Sequence, residues 1–365
     1  MNAERFLSIE HLSPSIGQAE IESCPTGVLF GVEPWNFPYY QLARFAGPNL
    51  MAGNVVTVKH AGCVPRCAIA FERLFEEAGA PVGAYTNLLI SHDQVTRPID
   101  DPRIKGVALT GSVEAGRVVA GRAGFNLKKS TMELGGSDAF IVLEDADLEN
   151  AVKWAVWGKM NNTGQCCVAA KRIIVVEQLA DQFLSKFKAS LEVLRPGDPM
   201  DTETTLGPLS TEGALLKLLA QVEQAVTCGA KLVLGGKRTP GPGAFMQPTI
   251  LTGIKPTNPA YREEFFGPVA LFFTVKNEEE AIALANDSDF GLGGCVFTRD
   301  EQRGRRVASR IETGMVFVNH PTWTAPDLPF GGIKNSGYGR ELSSMGIQEF
   351  VNKKLIRVAP IDSPA

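Results

Sequence analysis

The feature that most constrains the fold of this chain is an alternation of short apolar, β-rich runs with longer stretches of helical periodicity. Such alternation is typical of βαβ units, which build a mainly parallel sheet with helices on its faces. The first series predicts strands at residues 27–32, 54–59, 106–110 and 140–143 and helices at 65–77 and 113–123. After a helix at 148–159, the second series predicts strands at 172–176, 231–234, 269–275, 295–298 and 314–319 and helices at 179–194, 214–226, 278–285 and 301–311.

The two ends of the chain do not follow this alternation. Segments 18–22 and 350–358 each look like an isolated strand that belongs to neither series. A chain of 365 residues is long for one hydrophobic core, so two packed domains are expected. We therefore predict an α/β protein with domains at 24–135 and 136–338, and with terminal segments 1–23 and 339–365 that carry the two odd strands.

The composition is that of an ordinary globular protein, with 44% hydrophobic and 21% charged residues and a formal net charge of −4. No block of like charge and no run approaching ~18 apolar residues is present, so neither a nucleic-acid partner nor a membrane segment is expected. The number of cysteines, seven, is odd, and the first ten residues do not resemble a leader. These features favour free thiols in a reducing, cytoplasmic compartment.

No metal site is expected from the cysteines and histidines. Cys63 and Cys67 are spaced C-x3-C near His60, but no second pair follows at the spacing of a zinc site. Small buried residues on a helix are the better interpretation of this pair.

Residues 162–167, NTGQCC, are the first segment that could carry chemistry. A cysteine just after a glycine turn can lie at a helix N-terminus, where the helix dipole and free N–H groups stabilise a thiolate. The same N–H groups can stabilise an oxyanion during attack on a carbonyl. Two buried structural thiols would produce the same pair of cysteines.

Two further polar residues lie in apolar surroundings. Glu133 has apolar neighbours and is followed by two glycines, so partial desolvation would raise its pKa toward that of a useful base. Asn36 lies between aromatic residues and prolines in PWNFP and could donate to an oxyanion. The alternatives are a surface glutamate at a strand end and an asparagine in a turn or at a helix N-cap.

The junction of a strand and a helix at residues 106–116 could bind a pyrophosphate, because Gly111, Ser112 and Gly116 lie where the strand meets the helix. Their spacing is not the usual G-x-G-x-x-G fingerprint. Lys59, at the end of strand 54–59, could reach a cofactor ribose or phosphate, and it could equally be a solvated strand-end lysine.

Together these segments resemble the aldehyde dehydrogenase superfamily. The resemblance extends from about Ser15 to the C-terminus through ordered motifs: EPWNFP, GNVVTVKHA, LTGSVEAG, MELGGSDAFIV, NTGQCCVAAKR, EEFFGPV, NDSDFGLGG, GMVFVNHPTWTAPDLPFGG and KNSGYGREL. It implies a doubly wound cofactor domain, a catalytic domain, and a bridging sheet made from the two odd strands that joins subunits into a homo-oligomer.

The resemblance also implies roles for individual residues. The family's nucleophile falls on Cys167 rather than Cys166, its general base on Glu133 and its oxyanion-hole amide on Asn36. The implied cofactor contacts are Trp35, Lys59, Gly62, Gly111, Ser112, Gly116, Glu264 and Phe266. Phe330 matches the aromatic wall of the aldehyde tunnel. The implied reaction oxidises an aldehyde with NAD or NADP through a thioester on Cys167, which water activated by Glu133 then hydrolyses.

The sequence departs from the family pattern at two places that affect the cofactor and the fold. The segment that members carry before the position of Ser15 is short here, so the cofactor domain is expected to lack its N-terminal part and to leave an apolar face or sheet edge open. NAD-preferring members often have a glutamate three residues after the lysine, where Gly62 stands here. Without that carboxylate a 2′-phosphate is tolerated, so use of both cofactors or a lean to NADP is expected.

Arg44 bears on the substrate. It lies eight residues after Asn36, where succinate-semialdehyde dehydrogenases have an arginine that binds the substrate's carboxylate, and a guanidinium can grip both oxygens. The second arginine of the best-known group, six residues before the nucleophile, is Asn161 here, and KHA and NN resemble a second bacterial group with the same activity. Succinate semialdehyde is thus the leading substrate, and a surface ion pair on a helix is the alternative for Arg44.

Two other classes of function stay open at this point. The chain could be a truncated, inactive interaction partner of a full-length paralogue. It could also be a thioesterase-like hydrolase that uses Cys167 and Glu133 without the cofactor, although such an enzyme has no need of Lys59, Ser112 and Glu264.

Overall fold

A computed structural model describes residues 2–362 of the chain. Its strands are β1 (Glu10–Leu12), β2 (Gln18–Pro25), β3 (Val28–Glu33), β4 (Val55–His60), β5 (Tyr85–Asn87), β6 (Ile104–Thr110), β7 (Lys129–Glu133), β8 (Ala139–Val142), β9 (Arg172–Val176), β10 (Lys231–Leu234), β11 (Thr249–Thr252), β12 (Val269–Val275), β13 (Phe290–Gly291), β14 (Gly294–Phe297), β15 (Phe317–Val318), β16 (Ile333–Lys334), β17 (Gly337–Tyr338) and β18 (Val351–Val358). Its helices are α1 (Ala3–Phe6), α2 (Tyr40–Met51), α3 (Pro65–Glu77), α4 (Thr96–Asp100), α5 (Val113–Phe125), α6 (Leu148–Met160), α7 (Glu177–Glu192), α8 (Glu212–Thr227), α9 (Glu278–Asn286), α10 (Glu301–Ala308) and α11 (Ser343–Ile347).

The chain forms two compact units. The first contains Met1–Leu134, Thr324–Gly331 and Gly337–Ala365, and the second contains Gly135–Trp323 and Gly332–Ser336. The assignment of cofactor binding to one and catalysis to the other stays a prediction.

The central sheet of the first unit has the strand order β17-β7-β6-β3-β4-β5. Strands β3 to β7 are parallel, and β17 is antiparallel to β7. The chain proceeds outward from β3 to β5 and then returns to β6 and β7 on the other side of β3. The strand order therefore reverses between β3 and β6, and in such sheets ligands bind outside the carboxyl ends of the strands at this point.

Helices cover both faces of this sheet, because apolar residues of the strands point alternately to either side. On one face Leu42 and Phe45 of α2 pack against Leu29 and Val58. On the other face, residues of α4 and α5 pack against β6 and β7. On this face apolar side chains of β3, of β6 and of the segment after β5 also line an open cavity of about 490 Å³.

The two odd strands predicted at the ends of the chain pair with each other. β18 runs antiparallel to β2 from Val351↔Pro25 to Val358↔Gln18, and β1 pairs with the other edge of β2. They form a three-stranded sheet that is separate from the central sheet, as expected. Its role in joining subunits stays a prediction.

The second unit is built on a sheet with the order β10-β11-β12-β9-β8-β14-β15. All of its pairs are parallel except β10 with β11. Apolar residues of α6 and α7 cover one face, and those of α8, α9 and α10 cover the other. Strand β9 lies near the centre of this sheet and is buried along its whole length, so the turn that leads into it is attached to a rigid element.

Cys63 and Cys67 correct one expectation. Cys63 is exposed in the turn before α3, and Cys67 on that helix is only partly buried, so they are not two buried helical residues. Within residues 2–362 no group of three or more His, Cys, Asp or Glu side chains could hold a metal ion. In the same range no helix is long and apolar enough to cross a bilayer.

Candidate active site

In the first unit, three polar side chains occupy the carboxyl ends of neighbouring strands. Glu33 is the last residue of β3, Thr110 of β6 and Glu133 of β7. Thr110 and Glu133 are register partners, and Val32 pairs with Leu109 one residue before Glu33. All three are buried, with Glu33 and Glu133 only 3% and 4% exposed. Alternation along the strands directs them to the face that α2 covers, because Leu29 and Ala108 contribute to the same apolar cluster as α2.

Arg44 of α2 lies over this row of side chains. Its guanidinium forms an ion pair with Glu341, and its Nη2 donates to Thr110 Oγ1 at 3.4 Å. The guanidinium carbon lies 4.5 Å from the centroid of the Phe330 ring. The side chain of Arg44 is only 4% exposed, so its ion pair is buried and the alternative of a surface pair is wrong.

Burial and mutual repulsion perturb the carboxyl groups of this row. Burial, with the nearby charge of Glu341, raises the pKa of Glu133 to about 8, against the lowering effect of Arg44 and Arg340. Burial likewise raises the pKa of Glu341, although Arg44 opposes it. Glu133 is therefore not a surface residue at a strand end, and its carboxyl group titrates where a general base at neutral to alkaline pH should.

Asn36 lies in the bend between β3 and α2, directly after Trp35. Its Oδ1 accepts a hydrogen bond of 3.0 Å from Gln41 Nε2, which directs the Nδ2 end of the amide away from Gln41. Helix α2 begins after Tyr39, so Asn36 is not its N-cap. The contact with Gln41 thus fixes the orientation of the Asn36 amide. This amide lies after the carboxyl end of β3, where the strand order of the sheet reverses.

The turn from β6 into α5 has the properties of a phosphate site. Ser112 caps α5 by accepting the N–H of Ala115 at 3.2 Å. A Cβ at Gly116 would lie 2.6 Å from both methyl carbons of Leu134, so close packing of the helix on the sheet requires a glycine. The N–H of Gly111 is used within the sheet, because it donates to Glu133 O at 2.9 Å. If this junction binds a phosphate, Ser112 and the first turn of α5, not the N–H of Gly111, would supply the donors.

Lys59 at the end of β4 is 3% exposed, so it is not a solvated strand-end lysine. Burial lowers the pKa of its ammonium. A Cβ at Gly62 would meet no atom within 4 Å among the described residues, so space is open three residues from Lys59. A buried ammonium fits a phosphorylated nucleotide, whose negative charge would offset the desolvation of the lysine, and the glycine at position 62 adds no competing carboxylate.

In the second unit, a strained turn brings the chain to the two adjacent cysteines. Asn162, Thr163 and Gly164 have φ values of 49°, 57° and 73°, and a β-branched residue in this region is a true outlier. The turn is held by Thr163 Oγ1 donating to Gly207 O at 3.1 Å. It ends α6 and reverses the chain toward β9.

The two cysteines differ in access. Cys166 is buried and Cys167 is partly exposed, so Cys167 is the thiol that a substrate can reach. A hydrogen bond with Cys167 lowers the pKa of Cys166, although burial opposes the effect. The expected helix N-terminus is wrong, because Cys167 lies in a turn that leads to β9 and no helix begins there among residues 2–362.

A buried lysine holds this cysteine turn. Lys171 is fully buried, and its Nζ donates to Cys166 O at 2.9 Å and to Cys167 O at 2.7 Å. The same Nζ lies 3.0 Å from Glu264 Oε1, which also accepts the N–H of Gly136 at 3.0 Å. The ammonium thus links the backbone of both cysteines to Glu264. The predicted cofactor residue Phe266 is near this group, with its ring centroid 5.8 Å from Lys171 Nζ.

The sequence analysis did not predict several residues that lie around Glu133 in the first unit and around Cys167 in the second. Lys171 stands four residues after Cys167 within the motif NTGQCCVAAKR, where a lysine between the apolar run VAA and a strongly apolar strand could have signalled a buried cation. Glu33 is the first residue of EPWNFP, and Glu341 lies within GREL. The structure brings Glu133, Arg44 and Phe330 together in the first unit, and Cys167, Glu264 and Phe266 in the second.

The first unit thus has a parallel sheet whose strand order reverses, the point at which such sheets bind ligands, and the second unit has a partly exposed cysteine that could act as a nucleophile. The sequence profile of the aldehyde dehydrogenase family matches residues 7–356. The chain belongs to the aldehyde dehydrogenase family.

Several relatives and solved structures are similar over nearly all of this chain. The protein of Deinococcus radiodurans named succinate-semialdehyde dehydrogenase (NADP+) is 53% identical over 355 residues, which are 97% of this chain and 74% of that protein. A structure described as giving insight into cofactor and substrate selection by Gox0499 has a TM-score of 0.97 at 58% identity and covers 98% of this chain and 78% of that chain. Succinic semialdehyde dehydrogenase from Streptococcus pyogenes, in complex with NADP+, has a TM-score of 0.97 at 48% identity and covers 98% and 79%.

Proposed function

We propose that this protein oxidises succinate semialdehyde to succinate with NADP+ through a thioester on Cys167. The observation that carries the chemistry is the cysteine turn, in which the partly exposed Cys167 is fixed by a buried lysine beside a buried thiol. The names of the relatives from Deinococcus radiodurans and Streptococcus pyogenes support the substrate and the cofactor. Because the similar proteins carry the names of dehydrogenases, they offer no support for an inactive interaction partner.

The residues that would hold the cofactor are Trp35, Lys59, Gly62, Gly111, Ser112, Gly116, Glu264 and Phe266. When bound, the cofactor supplies the acceptor for the hydride. Ser112 and the first turn of α5 would bind phosphate through N–H and O–H donors. Lys59 and the open space at Gly62 would accommodate a 2′-phosphate without a competing carboxylate.

The chain's own residues then perform three tasks. The Cys167 thiolate attacks the aldehyde carbon, and Nδ2 of Asn36 donates to the oxygen that becomes negative. Loss of the hydride leaves the acyl group on Cys167 as a thioester. Glu133 removes a proton from water, and the resulting hydroxide attacks the thioester and releases the carboxylic acid and the Cys167 thiol.

The first test measures the absorbance of reduced nicotinamide with succinate semialdehyde and either NADP+ or NAD+ in parallel. Turnover should be faster with NADP+, and Cys167→Ala should abolish it. Cys166→Ala is the matched control and should retain turnover, because that thiol is buried. A folded protein that turns over with neither cofactor, or a Cys167→Ala variant that keeps its activity, would contradict the proposal.

Cofactor choice has its own variant. Gly62→Glu places a carboxylate in the open space near Lys59, where it should repel a 2′-phosphate and reduce kcat/KM with NADP+ by roughly tenfold or more relative to NAD+. An unchanged ratio between the two cofactors would show that position 62 does not face the 2′ position.

The role of Arg44 requires a comparison of two aldehydes, because its guanidinium already pairs with Glu341. Arg44→Met should raise KM roughly 10- to 100-fold for succinate semialdehyde and leave KM for uncharged butanal unchanged if the arginine binds the substrate's carboxylate. An equal effect on both aldehydes would assign Arg44 to holding the buried carboxylates instead.

A further inference from the structure

One buried side chain holds the peptide groups on both sides of Cys167. Lys171 Nζ donates to Cys166 O at 2.9 Å and to Cys167 O at 2.7 Å, and the same nitrogen lies 3.0 Å from Glu264 Oε1. The three acceptors match the three hydrogens of an ammonium group. Because the side chain is fully buried, water cannot replace a lost acceptor, and rotation of the ammonium would break a buried contact.

Other contacts fix the same two carbonyl groups. The N–H of Ala169 also donates to Cys166 O, at 3.2 Å. A Cβ at Gly136 would lie 2.5 Å from Cys167 O, so only a glycine leaves space for that oxygen. Glu264 Oε1, the oxygen that pairs with the lysine, accepts the N–H of Gly136 at 3.0 Å. Tertiary contacts therefore determine the direction of both carbonyl groups.

The direction of a carbonyl group determines the direction of the N–H in the same peptide. The peptide that joins Cys166 to Cys167 is trans, so its N–H points opposite to its C=O. Since the oxygen of this peptide contacts Lys171, the N–H of Cys167 points away from the ammonium. In the next peptide, the N–H of Val168 forms a hydrogen bond with the Cys166 thiol, which lowers the pKa of that thiol.

The N–H of Cys167 is a suitable donor for the charge that develops during attack on a carbonyl. It belongs to the residue whose thiol is partly exposed, so it is within reach of an oxygen on the carbon that this thiol attacks. A peptide whose oxygen binds a cation in a buried site is polarised, which makes its N–H a stronger donor. The ammonium thus supplies the positive charge that the sequence led us to expect from a helix N-terminus.

We propose that Lys171 is a positioning residue: it holds the peptide between Cys166 and Cys167 so that the N–H of Cys167 donates to the oxyanion formed when Cys167 attacks a carbonyl group. This inference rests on the proposed nucleophile and adds a residue that acts on it through the backbone. The three donors of Lys171 are engaged by two backbone oxygens and one carboxylate.

Two reactions of Cys167 distinguish this role from a merely structural one. With p-nitrophenyl acetate, the thiolate attacks the carbonyl carbon and forms an oxyanion. The C–O bond then breaks, p-nitrophenolate leaves with its electron pair, and an acetyl thioester remains. With iodoacetamide, the thiolate displaces iodide from a saturated carbon and no oxyanion forms. Only the first reaction uses the N–H of Cys167.

The experiment measures both rates for the full chain at increasing pH and compares their alkaline plateaus, where the thiol is ionised in every variant. The burst of p-nitrophenolate reports acylation, and mass spectrometry of the Cys167 peptide reports alkylation. Lys171→Met should lower the acylation plateau roughly 10- to 100-fold and change the alkylation plateau by less than about threefold, because oxyanion donors contribute on this scale. Lys171→Gln keeps N–H donors and should lose less.

Lys159→Met is the matched control. Lys159 is a second fully buried lysine of the same unit, and its Nζ donates to Phe265 O at 3.2 Å. This variant should leave the ratio of the two plateaus unchanged. A fall of acylation alone in Lys159→Met would overturn the proposal, because the effect would not require contact with the cysteine peptides.

Three other results would also overturn the proposal: equal falls of both plateaus in Lys171→Met, an acylation plateau that does not fall, or a burst that persists in Cys167→Ala. If Lys171→Met does not fold, the same criteria apply to Lys171→Gln, whose acylation plateau should fall while its alkylation plateau does not. Neither reaction needs NADP+ or an aldehyde. Absence of dehydrogenase turnover would therefore contradict the proposed function and leave the test of Lys171 intact.

Discussion

At the scale of single residues, a fully buried ammonium organises the candidate nucleophile. Lys171 Nζ contacts two backbone oxygens of the cysteine turn and one carboxylate oxygen. A buried lysine is tolerated only when its donors are paired and a negative group compensates its charge. The three acceptors meet both conditions, and they fix the backbone on which Cys167 is carried.

Removing this ammonium should therefore affect both stability and turnover. We expect Lys171→Met to lower the free energy of unfolding by about 2–4 kcal/mol, because the oxygens of Cys166 and Cys167 lose a buried donor. Turnover should fall as well, because the cysteine turn is no longer held. Denaturant unfolding and the nicotinamide assay measure the two effects.

The control for this prediction is Lys188→Met, since Lys188 is half-exposed on α7 and pairs with Glu192 one helical turn away. That change should alter the free energy of unfolding by no more than about 0.5 kcal/mol. If the two variants were equally stable, the three contacts of Lys171 would contribute nothing measurable.

Residue types alone indicated part of this site. The cysteine pair of NTGQCC, Glu133 and Asn36 were singled out because their neighbours are glycines, prolines and apolar residues, whereas the resemblance alone selected Cys167 from the pair. The structure places Glu133 in the burial expected for a raised pKa. Lys171, Glu33 and Glu341 were not singled out, because a charged residue in a sequence is normally at the surface. Only the partners that tertiary contact supplies make their burial possible.

At the scale of elements, the packing of α2 on β3 determines how the buried carboxyl groups are covered. A Cβ at Gly31 would lie 2.5 Å from Cε1 of Phe45. Helix α2 can therefore pack closely on β3 at this position only because Gly31 has no side chain. The close approach brings Arg44, the neighbour of Phe45, over the ends of β3 and β6. The ion pair between Arg44 and Glu341 therefore depends on the absence of a side chain at Gly31.

We expect Gly31→Ala to lower the free energy of unfolding by about 1–3 kcal/mol, because a methyl group would push against a buried aromatic ring. Gly47→Ala is the control on α2 itself, since a Cβ there meets nothing within 4 Å among the described residues. It should raise the free energy of unfolding by about 0.5–1 kcal/mol, as alanine favours a helix over glycine. Thermal unfolding of both variants gives the comparison, and a destabilised Gly47→Ala with an unaffected Gly31→Ala would contradict it.

Elements with clear periodicity were predicted well. Helix α3 and strands β9, β10 and β12 have the predicted bounds, because their apolar residues recur at one period without interruption. Helix α2 was missed, since it contains Gly47 and Pro48, which normally end helices, and buries the polar residues Gln41, Arg44 and Asn49. Strand β7 was missed because its sequence, KSTME, is polar at most positions.

Other predicted strands and helices are shorter in the structure than the sequence pattern suggested. The strand predicted at 314–319 is limited to Phe317–Val318, because β15 forms only two pairs with β14. The helix predicted at 301–311 ends at Ala308. Local periodicity does not state how far a neighbouring strand extends, so such ends depend on tertiary pairing.

At the scale of the whole molecule, the small sheet of β1, β2 and β18 offers an edge for association. β18 pairs with β2 on one side only within the part of the chain that the structure describes. Leu355 and Val358 on this strand are 60% and 63% exposed. An edge strand with exposed apolar side chains is a template for pairing with another chain. We therefore propose that two copies associate through β18.

Leu355→Lys should weaken this association, because a charged side chain on an edge strand opposes pairing. Analytical ultracentrifugation of the purified protein should show a shift toward the monomer at equal concentration. Leu216→Lys, a similarly exposed leucine on α8, is the control and should leave the distribution unchanged. Equal distributions for the two variants would show that β18 does not carry the association.

The sequence by itself determined the α/β class, the two series of elements and the motifs of the aldehyde dehydrogenase family, and through that resemblance it proposed Cys167 as the nucleophile. These features depend on local periodicity and on residue types at short spacing, which the chain carries without being folded. Only the tertiary structure decided that Glu33, Glu133 and Glu341 share one buried arginine, and that Lys171 joins the cysteine turn to Glu264. The physical reason is that burial and charge compensation are properties of neighbours in space, and these neighbours lie up to hundreds of residues apart along the chain.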